Sequence, residues 1–300
     1  MHYYKAYQLN IHADFPIPEF PPGDETGAAD VFIRQGPVPT SLEKVTSRGV
    51  VYQATENQFL LTMDDIARYL VQNGNEIVIE PAAGSLPSDV RVFMLGSCMG
   101  ALLHQRSMLV IHAGAIKTEK GAVLFTGPSG IGKSTTVGEF LRRGYKMMVD
   151  DVCGAVLDAE GKPMILPGYP RTRLWTDSAR MLEQDVTGLE RTRPDMEKFE
   201  RQIPEQYWDQ PAPLHRIYML NPNNKNELKL VPVQSINTFR LVLQNTYRQQ
   251  FLDGLAMRAP HFTLVSAVAK HTKVIRALRP SGQFKLVELA DMIEQDFGQA

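Results

Sequence analysis

The stretch "GAVLFTGPSGIGKSTTVGEFLRRGYKMMVDD", residues 121–151, restricts the possible folds more than any other part of the chain. An apolar run enters a loop of the form G-x-x-x-x-G-K-S, made by Gly127, Pro128, Ser129, Gly130, Ile131, Gly132, Lys133 and Ser134. The segment "STTVGEFLRRG" leaves the loop with helical spacing and closes at Gly144. A second apolar run follows at once and ends in Asp150 and Asp151. Strand, glycine loop, helix and strand in so short a span require a layered α/β arrangement with a mixed or parallel sheet.

The loop carries a specific chemistry. Its glycines let successive backbone N–H groups turn inward around phosphate oxygens, at the positive end of the following helix. Lys133 is placed to reach the outer phosphates, the Ser134 hydroxyl to hold Mg²⁺, and Thr135 completes the first helical turn. Both flanks are of the kind the motif needs, so a nucleoside triphosphate site is expected over residues 127–135.

The aspartate pair ends the strand that follows the loop helix, so its carboxylates are expected beside the phosphates. One carboxylate suffices to hold a metal ion, directly or through water. A second, near the terminal phosphate, suits acceptance of a proton from a hydroxyl. The reading assigns Asp150 to the metal and Asp151 to the base, with the two roles exchangeable. His112 ends the apolar run "MLVI" just upstream, which sets it at the same sheet edge as a third candidate.

The rest of the chain gives organisation. Short extended segments, "YYKAYQLNI" and "DVFIRQG", flank a proline-rich run at 15–27, and "GVVYQATENQFLLTM" reads as a hairpin turning near Glu56–Asn57. "MDDIARYLVQNG" reads as a short helix opened by Asp64 and closed by Gly74, with Ile66, Tyr69 and Leu70 on one face. "NEIVIEP" reads as a strand. The small, polar segment 82–89 separates an N-terminal β-rich (α+β) domain, 1–87, from an α/β P-loop domain, 88–300. Beyond it come a buried helix "VRVFMLGSCMGALLHQR", a buried strand "MLVIHAGAI", a short strand "RIYML", and helical segments near 235–255 and 260–278. Lys198 and Arg201 are expected on one face of a surface helix. In "GYPRTRLW", Arg171 and Arg173 share a face of an extended segment and are candidate contacts for phosphate or an acidic substrate.

Composition sets the outer bounds. With 300 residues and a formal net charge of −1, nothing points to a nucleic-acid groove or an anionic membrane. The longest apolar stretch, 92–103, is too short to span a bilayer, and the N-terminus lacks a signal-peptide pattern. Cys98 and Cys153 have no metal spacing and read as buried free thiols of a cytoplasmic protein. His215, His261 and His271 have no partners at recognisable spacing and read as structural.

Taken together, "IHAG", "GAVLFTGPSGIGKS", "FLRRGY" and "KMMVDD" resemble the catalytic domain of the HPr kinase/phosphorylase family. A looser resemblance, carried by "YYKAYQLNI", "DDIARYLVQNGNEIVIEPAAG", "LGSCMGALLHQRSMLVIHAGAI" and "LPGYPRTRLW", is to the HPr-kinase-like lasso-peptide kinases of peptide-modifying gene clusters. The resemblance implies an ATP- and Mg²⁺-dependent kinase with His112, Lys133 and Asp151 catalytic and Ser134 a Mg²⁺ ligand. It also implies a serine acceptor, in a ribosomally made precursor peptide or an HPr-like carrier protein. Pro128 and Thr135 depart from the family's usual acidic residues, and the family's downstream "LEIRG-LG" segment has no convincing copy, which argues against the reverse phosphorylase reaction.

Other readings fit less well. "DVCG" and "NKNE" imitate GTPase motifs, but only one helix separates the loop from Asp151, and Glu227 stands where an aspartate should read the base. No LSGGQ-like signature is present for an ABC-type ATPase. A small-molecule kinase and a nucleotide-sensing module without transfer stay open, as does association into a homo-oligomer.

Overall fold

The first 81 residues are built largely on hairpins, and the hairpins come from their turns. The computed structural model describes residues 1–175, 182, 198–225, 227–234, 236–281 and 285–298. Strands β1 (His2–Ala6) and β2 (Leu9–Ala13) are joined by Tyr7 and Gln8, both in the left-handed region at φ 54° and 60°. That is the geometry of a primed two-residue turn, normally given to Asn-Gly. Tyr7 occupies it because its ring is in the core, 1% exposed.

Strands β3 (Val31–Gln35), β4 (Ser47–Arg48), β5 (Tyr52–Ala54), β6 (Gln58–Met63), β7 (Ala67–Gln72) and β8 (Glu76–Pro81) complete the first sheet, in the order β1-β2-β3-β8-β7-β6-β5-β4. The expected hairpin at Glu56–Asn57 is β5–β6. The expected helix at 63–74 is instead a turn followed by β7, paired on both sides by β6 and β8. Two signals outweighed its helical spacing. Asp65 takes φ 62°, which stops a helix, and Asn73–Gly74, with φ 54° and 64°, opens the β7–β8 hairpin instead of capping a helix.

After the connection at 82–86, α1 (Pro87–Phe93) runs through a π-helical turn, Met94–Cys98, into α2 (Met99–Gln105). All five residues of the π turn are buried, and Cys98 and Cys153 are buried free thiols. Strands β9 (Leu109–Thr118) and β10 (Gly121–Thr126) follow, then the glycine loop and α3 (Lys133–Arg142). Every residue of β10 is buried, as expected of a strand covered on both faces. Next come β11 (Lys146–Val149), β12 (Val152–Leu157), β13 (Pro163–Ile165), β14 (Arg171–Trp175), β15 (Lys198–Gln202), β16 (Ala212–Asn223), β17 (Lys229–Val233) and β18 (Lys273–Pro280).

The second sheet has the order β10-β9-β12-β13-β16-β18-β17, and β16 also pairs back on β10, so five of its strands form a closed circuit of pairings. The arrangement is a mixed α/β structure with several sheets. Apolar residues of both large sheets, from Tyr7 and Ile11 to Leu109 and Val152, belong to one continuous core. Among the described residues no helix is long and apolar enough to cross a membrane.

Two further expectations are corrected. The helix expected to reach residue 278 ends at His271, because Val274 and Ile275 enter β18 between β16 and β17. Lys198 and Arg201 lie on β15, paired to β14, not on a helix.

Tyr7 ties the two large sheets together: its hydroxyl donates to the Val152 carbonyl at 2.9 Å and its amide to Pro167 at 2.9 Å. Tyr7→Phe keeps the ring and removes one buried hydrogen bond. It is expected to lower unfolding stability by about 1–2 kcal/mol, read from urea denaturation, without changing the denaturant slope.

Candidate active site

Strand β9 organises the site. On one side it pairs antiparallel with β10, with Ala113 opposite Thr126. On the other it pairs first with β11 and then with β12, both antiparallel. The strands entering the loop and the aspartate pair therefore run the same way, with β9 between them, and their ends meet at one edge. His112 reaches that edge differently from the sequence reading. It does not end a strand; it lies inside β9, opposite Val152, and arrives at the edge because β9 runs antiparallel to its neighbours.

The break between β11 and β12 separates the carboxylates. Val149 faces Ala115 and Val152 faces His112, so the register along β9 is kept across the break, the shift within β11 falling before it, between Met147 and Val149. At the break the Val152 N–H donates to the Asp150 carbonyl at 3.2 Å across Asp151, which has φ 81°. This is a three-residue γ-turn, a strained form that local context must hold in place. Its effect is to send adjacent side chains to different partners. Asp150, 8% exposed, accepts from the Ser134 hydroxyl on Oδ1 and from the Thr172 hydroxyl on Oδ2, each at 3.0 Å. Asp151 turns to His112, whose Nδ1 lies 3.0 Å from its Oδ1 and 3.2 Å from its carbonyl oxygen. Gly114 leaves room for this crossing, since a Cβ there would stand 2.6 Å from Val137 and 3.4 Å from Asp150 Oδ1.

The loop has the backbone its glycines permit, with Gly127, Gly130 and Gly132 at φ 137°, 78° and 101°. A Cβ on Gly127 would lie 2.7 Å from the Leu220 carbonyl, so that position also needs the space. Pro128, Ser129 and Gly130 are exposed, whereas Ile131 and Thr135 pack inward. Lys133 folds back over the loop, its Nζ donating to the carbonyls of Gly127 and Pro128 at 2.9 Å. Loop and helix are anchored from behind. Arg143, at the end of α3, pairs with Glu139 at 2.9 Å and with Glu294 at 2.6 Å, and Arg279 donates to the Ile131 carbonyl at 3.1 Å.

In front of the loop lies a cleft of about 670 Å³. It is lined by Gly127, Pro128 and Ser129 of the loop, by His112 and Asp151, and by the segment 244–248. That last segment was not singled out from the sequence. It is hung on β9: the His112 amide donates to the Asn245 carbonyl and the Tyr247 amide to the Val110 carbonyl, each at 2.8 Å. Thr172 was missed too, because a threonine between two predicted arginine contacts carries no signal of its own. Of the two arginines expected at the substrate, Arg171 stands elsewhere. Arg171 is 4% exposed and paired to Glu200 at 2.6 Å, with Glu19 at 3.9 Å, so it serves the packing of β14. Arg173 lies on β14 opposite Glu200, and its side chain is outside the described residues.

No family model and no curated protein matches the chain. Among solved structures it is similar to the Hpr(Ser) kinase/phosphatase from Coxiella burnetii, at 13% sequence identity and a TM-score of 0.35, over 62% of this chain and 89% of that one. An overlap at that score does not establish a shared fold.

Two histidines back the segment 244–248. His104 Nε2 lies 2.9 Å from the Tyr247 carbonyl and His261 Nε2 lies 2.9 Å from the Thr246 hydroxyl. Burial pushes both pKa values down from 6.5 to about 4, helped at His261 by the nearby His104 and Arg258. The unfolded chain therefore takes up protons first on acidification. Their contribution to stability is complete above pH 6.5 and is lost as pH falls from there towards 4. The thermal unfolding midpoint is expected to drop between about pH 7 and 5, and to drop less steeply in His104→Gln.

Proposed function

We propose that the chain is an ATP-dependent kinase that moves the γ-phosphoryl group to a serine hydroxyl of a peptide or protein. The observation that carries this reading is the contact between His112 and Asp151, 3.0 Å apart and lining the same cleft as the first loop residues. A carboxylate held by an imidazole beside a phosphate loop suits removal of a proton from an attacking hydroxyl.

In this reading the loop amides and Lys133 hold the phosphates, with phosphate oxygens replacing the Gly127 and Pro128 carbonyls as partners of Nζ. The acceptor oxygen forms its bond to the γ-phosphorus as the bond to the β–γ bridging oxygen breaks, and ADP leaves. The hydroxyl proton goes to Asp151, which His112 fixes in direction from Nδ1. Ser134 and Asp150 supply hard oxygen donors 3.0 Å apart, a set that fits Mg²⁺, which commonly takes one or two protein oxygens together with phosphate. Bound there, Mg²⁺ supplies neutralisation of phosphate charge. Thr172 positions Asp150 through its second oxygen. The acceptor we favour is a serine of a ribosomally made precursor peptide, on the strength of the N-terminal segments and "LPGYPRTRLW" that resemble the lasso-peptide kinases.

Lys133→Ala is expected to abolish ATP binding, and unchanged binding in calorimetry sinks the site. Asp151→Asn is expected to keep ATP affinity while phosphate transfer falls about a hundred- to ten-thousand-fold, the usual range for a general base. Thr172→Val is expected to raise the Mg²⁺ concentration needed for half-maximal transfer, and Thr172→Ser to restore it. Mass spectrometry of candidate precursor peptides after incubation with ATP reads the acceptor. A phosphate on a small metabolite with no peptide labelled overturns the peptide assignment.

A further inference from the structure

The residue that closes the aspartate turn is gripped from outside the sheet that carries the loop. We propose that Tyr7, from the first sheet, is a positioning residue for phosphoryl transfer, holding the turn so that the Asp151 carboxylate stays against His112. The inference rests on the kinase reading and carries the working site into a part of the chain that neither the loop nor the aspartate pair points to.

Three observations support it. First, Tyr7 acts on the turn through a residue with two duties. The Val152 N–H closes the turn onto the Asp150 carbonyl at 3.2 Å, and the Val152 carbonyl accepts from the Tyr7 hydroxyl at 2.9 Å. Only Val152 itself separates the gripped carbonyl from the peptide that closes the turn. Strand β13 does not supply this support, because it pairs with β12 only over Ala155–Leu157.

Second, the hydroxyl belongs to a brace that spans the break between β11 and β12. The segment 166–168 reaches both strands. The Leu166 N–H donates to the Gly154 carbonyl of β12 at 2.9 Å, and the Gly168 N–H to the Met148 carbonyl of β11 at 2.8 Å. Between them the Pro167 carbonyl accepts from the Tyr7 amide at 2.9 Å. Tyr7 is thus tied by its amide to the bridging segment and by its hydroxyl to the turn.

Third, the surroundings are shaped to the ring. A Cβ on Gly154 would lie 3.4 Å from the Tyr7 ring, and one on Gly168 would lie 2.8 Å from Val149 and 3.6 Å from the Tyr7 hydroxyl. Tyr7 is 1% exposed and keeps φ 54°. A strained conformation persists where its surroundings over-determine it, and such residues gather at sites of function. Burial, and after it the nearby Tyr169, Cys153, Tyr207 and Asp151, pushes the phenol well above its usual pKa, so the hydroxyl remains a donor.

The chemistry needs such a hold. A general base works only within hydrogen-bond reach of the proton it takes, and a misplacement of about 1 Å caused far from the reacting atoms costs on the order of 100-fold. Tyr7 touches no reacting atom. Its loss relaxes the turn, so turnover falls while nucleotide binding by the loop stays.

The test measures ADP release from Mg·ATP, with water as the acceptor, on the full chain. Tyr7→Phe is expected to lower kcat about tenfold and to leave KM for ATP within about twofold. Tyr69→Phe is the matched control: Tyr69 is equally buried in the first sheet, and its hydroxyl donates to the Val90 carbonyl of α1 at 2.9 Å. It loses a bond of the same kind and is expected to keep the unaltered kcat. In an Asp151→Asn background, Tyr7→Phe is expected to change the remaining turnover by less than about twofold, because the group it positions is gone. Unchanged kcat in Tyr7→Phe, the same loss with and without the Asp151 carboxylate, or an equal loss in Tyr69→Phe overturns the role of Tyr7 and leaves the kinase reading standing. Failure of the unaltered protein to consume ATP, with water or with the candidate precursor peptides, overturns both. If Tyr7→Phe fails to fold, Gly168→Ala, which crowds Val149 and the same hydroxyl, takes its place. Loss confined to protein that keeps Asp151 then supports the role, and loss in both backgrounds, or none, refutes it.

Discussion

Everything near the loop is placed by the hydrogen bonding of one strand. Residues Leu109–Thr118 serve as template for β10 on one side and for both β11 and β12 on the other, and they hold the segment 245–247 through the amides and carbonyls of Val110 and His112. Remove that template and the glycine loop, the two aspartates and the histidine have no common reference. The strand is almost wholly buried, and its small residues Ala113, Gly114 and Ala115 let α3 and the aspartate turn approach it closely.

The aspartate turn shows how local strain creates a division of labour. Consecutive residues of a strand alternate faces, which alone sends two adjacent carboxylates apart. The γ-turn at Asp151 adds to this by kinking the backbone, so that Asp150 stays buried between two hydroxyls while Asp151 emerges beside His112. The cost is a backbone conformation that most residues avoid, and the Tyr7 hydroxyl, bonded to Val152 immediately after the turn, helps to hold it.

The parts legible in the sequence were those whose chemistry is local. The loop, the helix after it and the apolar strands around it follow from glycine positions and short-range periodicity, and they stand where the pattern put them. His112 was picked for its neighbourhood, although the reason given assumed the wrong strand direction, because periodicity carries no sense of parallel or antiparallel. What the sequence hid was long-range. The strand at 67–72 was masked by a helical spacing that only its neighbours on both sides overrule. The buried pairing of Arg171 with Glu200 joins residues too far apart in the chain to be read together. Thr172, Tyr247 and Arg248 belong to the site only through pairings that bring distant segments beside β9.

The interrupted strand has a consequence for how such a cleft changes. Asp150 and Asp151 are consecutive in the chain and sit in the turn between β11 and β12, both paired to β9, so the separation of their backbones is set by covalent bonds and cannot drift. The segment 244–248 is held by amide contacts to β9, by the buried His104 and His261 and by the Tyr247 ring lying on glycines. In the proposed kinase, variation in what the cleft accepts therefore falls to the side chains of that segment while the aspartates stay constant, much as a vice has one fixed jaw and one that is adjusted.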